Sequence, residues 1–209
     1  MPKKEAPVTS LQHFLPEGTF QPVLQYLNQY KVHLTIARER KSILGDYRHQ
    51  THHSNHRISV NGNLNVYSFL ITLLHELAHL LTFEQFGNRV QSHGKEWKMV
   101  YGQLLDQFVK NKKFPPDIEK ELLQSLKNPA ASSCAEDDLL RVLRRYDKKD
   151  EGRSLVEELP EDVLFRTDDG RVFRKGKKMR KRFQCLEVKT GRVYLFSPVY
   201  EVERVINES

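Results

Sequence analysis

Cysteine is nearly absent from this chain: Cys134 and Cys185 are the two it has among 209 residues. That excludes a disulfide framework, fits a reducing compartment, and rules out a zinc ribbon built from four thiolates. Long apolar runs are also missing. None approaches the roughly 18–20 residues of a bilayer crossing, so no membrane partner is expected. The lysines of "MPKKEAPVTS" have no apolar stretch behind them, which argues against a secretory leader and, with the cysteines, points to the cytoplasm. Internal repeats of useful length are absent too. Charge leans one way, with 34 Lys and Arg against 27 Asp and Glu, a net +7. Such an excess attracts polyanions, nucleic acid first among them, although many basic chains have no such partner.

With 38% hydrophobic and 29% charged residues, the chain has a globular composition and room for one good-sized domain with a small appendage. Residues 1–12 read as a flexible tail, 13–128 as the main domain, 129–155 as a helical linker and 156–209 as a small basic β-rich module. "FQPVLQYLNQYKV" (20–32) has helical spacing, and "KVHLTIARER" (31–40) alternates as a strand does. "ILGDYRHQTHHSNHRISVNGN" reads as strand, polar turn, strand. "VYSFLITLLHELAHLLTFEQF" is a long helix with Asn65 or Ser68 as N-cap and Gly87 beyond its end. "GKEWKMVYGQLLDQFVKN" is a second amphipathic helix, followed by two shorter ones on either side of "NPAASS" (128–133). Beyond "KKDEG" the pattern is short strands with turns at "DDG" and "KTG". The fold class expected is α+β, with helices packed on a small antiparallel sheet and a β-rich module after it.

The long helix holds the chemistry. His75 and His79, four residues apart, share one helix face, and their ring nitrogens can reach one zinc ion at about 2.0–2.1 Å. Glu76 lies beside the first of them, where its carboxylate can act as general base towards a water at the metal. Ordinary buried histidines are the plainer account of such a motif, but a carboxylate and two imidazoles within an apolar run need an explanation. A catalytic zinc takes three protein ligands and keeps one position open. A third histidine six residues after His79 is ruled out because position 85 is Gln85. His93 and Glu96 remain, with Glu84 more distant. His93, next to Gly94 at the start of the following helix, is preferred, since Glu96 has a role in favouring that helix's N-terminus. The cluster His49, His52, His53 and His56 reads as a polar turn more readily than as a second metal site, and one of its members can sit at the rim of the first.

"HELAHLL", then "SHGKEW" about a dozen residues on, with "ILGDYRH" and "HRISVN" before them, resembles the SprT-like family of zinc metalloproteases. That family includes a DNA-dependent protease of proteins crosslinked to DNA. The resemblance covers about residues 20–110. It implies a zincin-like domain, one catalytic Zn2+ held by His75, His79 and His93, Glu76 as catalytic base, and protein substrates, with DNA-associated ones among them. Trp97 falls within the family's His-Gly-x-x-Trp pattern and reads as core packing. Many members end in a zinc ribbon with paired cysteines; this chain departs from that, having only Cys185 in the corresponding region.

Arg171–Arg192 carries ten Lys or Arg against one acid, Glu187. Arg174, Lys175, Lys177, Lys178, Arg180, Lys181 and Arg182 are its candidate nucleic-acid contacts. Phe173, Phe183, Tyr194 and Phe196 accompany them. Cations that release counterions from phosphate and aromatics that stack on unpaired bases suit single-stranded or irregular DNA. Equally, the aromatics can be the module's small core beneath a solvated charged hairpin. Two rival functions follow: a nucleic-acid-binding protein whose zinc site is structural or inactive, and a zinc hydrolase of non-protein substrates.

Overall fold

The computed structural model describes residues 7–40, 42–126, 134, 136–148 and 152–205. The chain divides into two units, Met1–Asp147 and Lys148–Ser209, each with its own apolar core.

In the first unit a 3-10 segment, Val8–Phe14, precedes α1 (Phe20–Gln29), β1 (His33–Ala37), β2 (Gly45–Arg48), β3 (Arg57–Asn61), α2 (Val66–Phe86), α3 (Lys95–Lys110), α4 (Pro116–Ser125) and α5 (Asp137–Leu143). Two expectations are corrected here. The tail does not extend to residue 12, because Leu11 is buried in the core. Nor does α5 belong to a linker. Its Leu139, Val142 and Leu143, spaced i, i+3, i+4, form an apolar stripe that needs a surface to cover, and they join the first unit's core. Residues 1–6 and the "NPAASS" segment lie outside the described residues.

The sheet has the order β1-β3-β2 and is mixed: β3 pairs parallel with β1 and antiparallel with β2. The antiparallel sheet expected from sequence is corrected on this point. Alternation reports which face of a strand is buried, and says nothing of its direction or neighbours. Ile58 and Val60 of β3 are buried in the core that α2 shares.

α2 starts where the Asn65 side chain accepts hydrogen bonds from the backbone N–H groups of Tyr67 and Ser68, at 3.0 and 2.9 Å. It stops at Gly87, whose φ of +65° favours glycine. Of its 21 residues, 14 are buried, so the helix is apolar nearly all round, as a core helix must be. With its short extension to Arg89 it is also the one described helix long and apolar enough to cross a bilayer, contrary to the first impression from sequence. α3 buries Trp97, Val100, Tyr101, Leu104, Leu105 and Phe108 against it.

In the second unit, β4 (Arg153–Leu155), β5 (Leu164–Arg166), β6 (Val172–Met179), β7 (Arg182–Glu187), β8 (Val193–Phe196) and β9 (Glu201–Arg204) make one antiparallel sheet of order β4-β9-β5-β6-β7-β8. β5 to β8 form a meander, and β9 returns to pair with β5. Phe165, Phe173, Phe183, Cys185 and Val202 fill the core, with Tyr194 and Phe196 packed against it.

Candidate metal centre and its surroundings

His75, Glu76 and His79 stand on the middle of α2, and His93 lies in the turn just before α3, whose N-cap is Gly94. A ligand atom from each of the three histidines lies within 4.8 Å of the other two, and among the described residues no other group of three or more metal-ligating side chains comes together. Nε2 of His75 and Nε2 of His93 are 3.3 Å apart. That separation equals the edge of a tetrahedron with arms of about 2.0–2.1 Å, the geometry of zinc with nitrogen ligands.

Burial keeps these rings neutral. It pushes the pKa of His75 down to about 3, helped by His79 and His93, and that of His79 down to about 4, helped by His93. His93 is lowered by burial as well. Three neutral imidazoles aimed at one point present lone pairs to each other, an arrangement a cation relieves. The donor set therefore fits a divalent metal with nitrogen preference. Nδ1 of His75 is buried without a hydrogen-bond partner among the described residues.

Trp97 is fully buried and is more than generic core. Its ring centroid lies 4.7 Å from that of His75, 5.3 Å from His79 and 4.7 Å from His93. One indole thus braces all three imidazoles. Tyr101 stacks behind it at 4.9 Å.

Glu76 is 6% exposed, and burial raises its pKa to about 8; the charge of Asp46 adds to this and that of Arg40 opposes it. A site sequence reasoning missed lies opposite. Gly45, the first residue of β2, comes so close that a Cβ there would sit 2.5 Å from Glu76 Oε1, 2.8 Å from its Cγ and 2.8 Å from Thr72 Cγ2. Glycine inside the strand signal "ILGDY" was the clue available, since it marks close approach of backbone to something else.

The other candidates separate from the trio. Glu96 stays in the first turn of α3 and is no member of the cluster. Glu84 pairs instead with His56, Oε1 to Nε2, at 3.2 Å. The histidine-rich segment splits by role. His52 and His53 are exposed in the turn closed by Thr51 and Ser54, while His49 stacks on Phe83 at 4.8 Å. His56 is buried: its Nδ1 accepts from the Gln50 N–H at 3.3 Å and lies 3.0 Å from the Tyr47 hydroxyl. An accepting Nδ1 puts the proton on Nε2, which donates to Glu84. This chain fixes Tyr47, whose ring lies parallel to that of His79 at 6.4 Å.

In the second unit, Arg174, Lys177, Lys178, Arg180, Lys181 and Arg182 are exposed. Lys175 is not, which corrects its assignment as a surface contact. Only 4% of it is exposed; its ammonium donates to the carbonyls of Leu159 and, at 3.4 Å, Glu157, and it lies 4.3 Å from the centre of the Phe183 ring. The aromatics expected to meet bases form the module's core instead.

Two imidazoles one helical turn apart, a third at the start of the next helix and a carboxylate between them define a protein with a helix-borne centre able to hold one divalent ion. Residues 16–120 match the SprT-like family, and the chain belongs to it. Protein SprT of Pseudomonas fluorescens (strain SBW25) is 28% identical over 105 residues, covering 48% of this chain and 60% of that protein. Protein SprT of Glaesserella parasuis serovar 5 (strain SH0165) is 64% identical over 31 residues, 15% of this chain and 19% of that protein. The chain thus spans 60% or less of the length of these curated relatives. No solved structure matches it.

Proposed function

We propose that the chain is a zinc-dependent peptidase of the SprT-like, zincin-like kind, with His75, His79 and His93 as metal ligands, Glu76 as general base, and proteins associated with DNA as substrates. The observation that carries the proposal is the convergence of three neutral imidazoles beside one buried carboxyl. When bound, the metal supplies Lewis acidity, polarising a carbonyl and lowering the pKa of a water. The chain's own residues do the rest. Ionised when a cation beside it offsets the burial that otherwise keeps it protonated, the Glu76 carboxylate takes a proton from the attacking water and returns it to the departing amine. Trp97 holds the imidazoles at their mutual angles, and Gly45 leaves the carboxylate its space. β2 is the edge strand beside α2, and an extended substrate can add to that edge by backbone hydrogen bonding.

The exposed cations of the β6–β7 hairpin are proposed to contact DNA phosphates. With the aromatics inside the module, base stacking has no support, so the contact rests on charge alone. The test uses the purified chain: metal content by mass spectrometry, then casein cleavage and self-cleavage with and without single-stranded DNA and a chelator. Zinc near one per chain, with cleavage lost to chelator and to Glu76→Gln, is the expected result. A metal-loaded chain that cleaves no protein under any of these conditions overturns the proposal.

A further inference from the structure

His56 is a buried titratable side chain that the peptidase reading leaves without a role. It is 2% exposed, yet both its ring nitrogens are engaged. Nε2 donates to Glu84 Oε1 at 3.2 Å. Nδ1 accepts from the Tyr47 hydroxyl at 3.0 Å and shares that lone pair with the Gln50 N–H at 3.3 Å. With Nδ1 an acceptor, Tyr47 has to be the donor. Phe83 meets the His56 ring edge-on at 6.0 Å, and His49 stacks on Phe83. A buried polar chain is tolerated only when its members are satisfied, and this one fixes each side chain in a single orientation.

The contacts lead on to the metal centre. Tyr47 follows Gly45 by two residues on β2, so both face α2. Its ring is parallel to that of His79 within 2° at 6.4 Å, inside the range of offset stacking. Trp97 of α3 reaches the same imidazole at 5.3 Å, so His79 takes rings from two elements. Rotation of His79 about its side-chain torsions would swing its nitrogen out of the cluster. We infer that Glu84, His56 and Tyr47 form a positioning relay for the metal site. Glu84 fixes His56, His56 fixes the Tyr47 hydroxyl, and the Tyr47 ring fixes the angle of His79. The pin has a purpose because β2 is an edge strand, where an aromatic side chain otherwise has several rotamers open to it. Glu84 thereby acts on the metal through two other side chains and does not bind it. This inference rests on His79 being a metal ligand and is independent of the reaction carried out there.

The test loads the full chain with Co2+ and reads its visible d–d absorption, which reports coordination geometry. Zinc affinity is measured beside it by competition with a chromophoric chelator. The wild-type chain should take up Co2+ with the intense bands of tetrahedral coordination. Tyr47→Leu and Glu84→Ala should each shift or weaken those bands and lower zinc affinity by about tenfold, with the α-helical circular dichroism signal retained. Tyr47→Phe keeps the ring and loses the pin; it should move the bands the same way by less, and it decides the matter if Tyr47→Leu fails to fold. Glu84→Gln, whose amide oxygen still accepts from His56, should keep wild-type bands and affinity. Tyr26→Phe removes a tyrosine hydrogen bond of 2.9 Å to Gln107 elsewhere in the same unit and should change neither. Wild-type bands and affinity in Glu84→Ala, or in both Tyr47 variants, overturn the inference. So does an equal change in Tyr26→Phe, or a Glu84→Gln chain no better than Glu84→Ala. A wild-type chain that takes up neither ion overturns it together with the peptidase reading. Bands that respond as expected in a chain that cleaves no protein uphold the inference and sink the peptidase reading alone.

Discussion

Gly45→Ala is a one-carbon change outside the trio of histidines, and the structure specifies what it would do. The new Cβ would enter at 2.5 Å from Glu76 Oε1 and 2.8 Å from both Glu76 Cγ and Thr72 Cγ2, where carbon contacts settle at about 3.5–4.0 Å. Something must move by roughly an ångström. The strand is poorly placed to yield. β2 is paired with β3 at Gly45↔Val60, and Asn61 donates from its backbone to the Leu44 carbonyl at 2.9 Å and from its side chain to the carbonyls of Arg40 and Ile43 at 3.0 Å. Arg40 in turn donates to Asn61 Oδ1 at 2.7 Å and to Ser59 Oγ at 2.9 Å. The Glu76 side chain is the softer element, so the carboxylate is displaced. Overpacking of this kind costs about 1–3 kcal/mol of stability, and a displacement of about 1 Å at a reacting group can cost about a hundredfold in rate. The expected variant is folded, slightly destabilised in urea, binds metal at wild-type stoichiometry, and has kcat on casein lowered by one to two orders of magnitude with KM little changed. Thr72→Ser, which removes the crowding Cγ2, should restore part of kcat in the double variant. Full activity in Gly45→Ala, or loss of its metal, would refute the reasoning.

Other perturbations have equally definite outcomes. His93→Ala should cut zinc affinity by orders of magnitude while leaving the α-helical circular dichroism signal, because the residue lies in a turn outside the core; undiminished zinc content would exclude it as a ligand. The metal-free chain should lose stability as pH falls below about 6.5, the value of a free imidazole. The folded pKa values of His75 and His79 are depressed to about 3 and about 4, so the unfolded state binds more protons in that window and gains ground as pH drops. Urea midpoints flat from pH 7 to 5 would contradict this. Lys175→Met should lower the thermal midpoint of the second unit, since its ammonium caps buried carbonyls, yet leave DNA affinity within twofold or so; Lys177→Glu with Lys181→Glu should do the reverse and flatten the salt dependence. Anisotropy titrations at several salt concentrations distinguish the two.

Much of the first unit was legible because its signals are local. The Asn65 cap, the all-apolar run and Gly87 mark α2 almost to the residue, and the four-residue spacing of His75 and His79 carries directly into three dimensions. The turn that brings His93 back was legible from Gly94 and from the family pattern. Other features were out of reach for a common reason. Strand order, the parallel pairing of β1 with β3, and the approach of β2 to Glu76 join residues far apart in sequence, and no periodicity encodes them. Trp97 illustrates the difference. Its burial could be read from the helix face, but its place among three imidazoles depends on how α3 crosses α2.

The basic module shows how a composition argument goes astray at single residues. Along β6 the side chains alternate, so Phe173 and Lys175 fall on the inner face while Arg174 falls on the outer. A charge count treats Arg174 and Lys175 alike; period two does not. Putting a lysine on the inner face would ordinarily cost several kcal/mol, a penalty reduced here because carbonyls at the end of the neighbouring 3-10 turn accept from the ammonium and the Phe183 ring lies beneath it. The same alternation turns Val193 and Leu195 out to solvent and Tyr194 and Phe196 in. Sorting residues 171–196 by face therefore converts a run of mixed aromatics and cations into two surfaces of different character. The inner one is the aromatic core of the module. The outer one carries exposed Leu186, Val193 and Leu195 together with exposed Arg174 and Arg182.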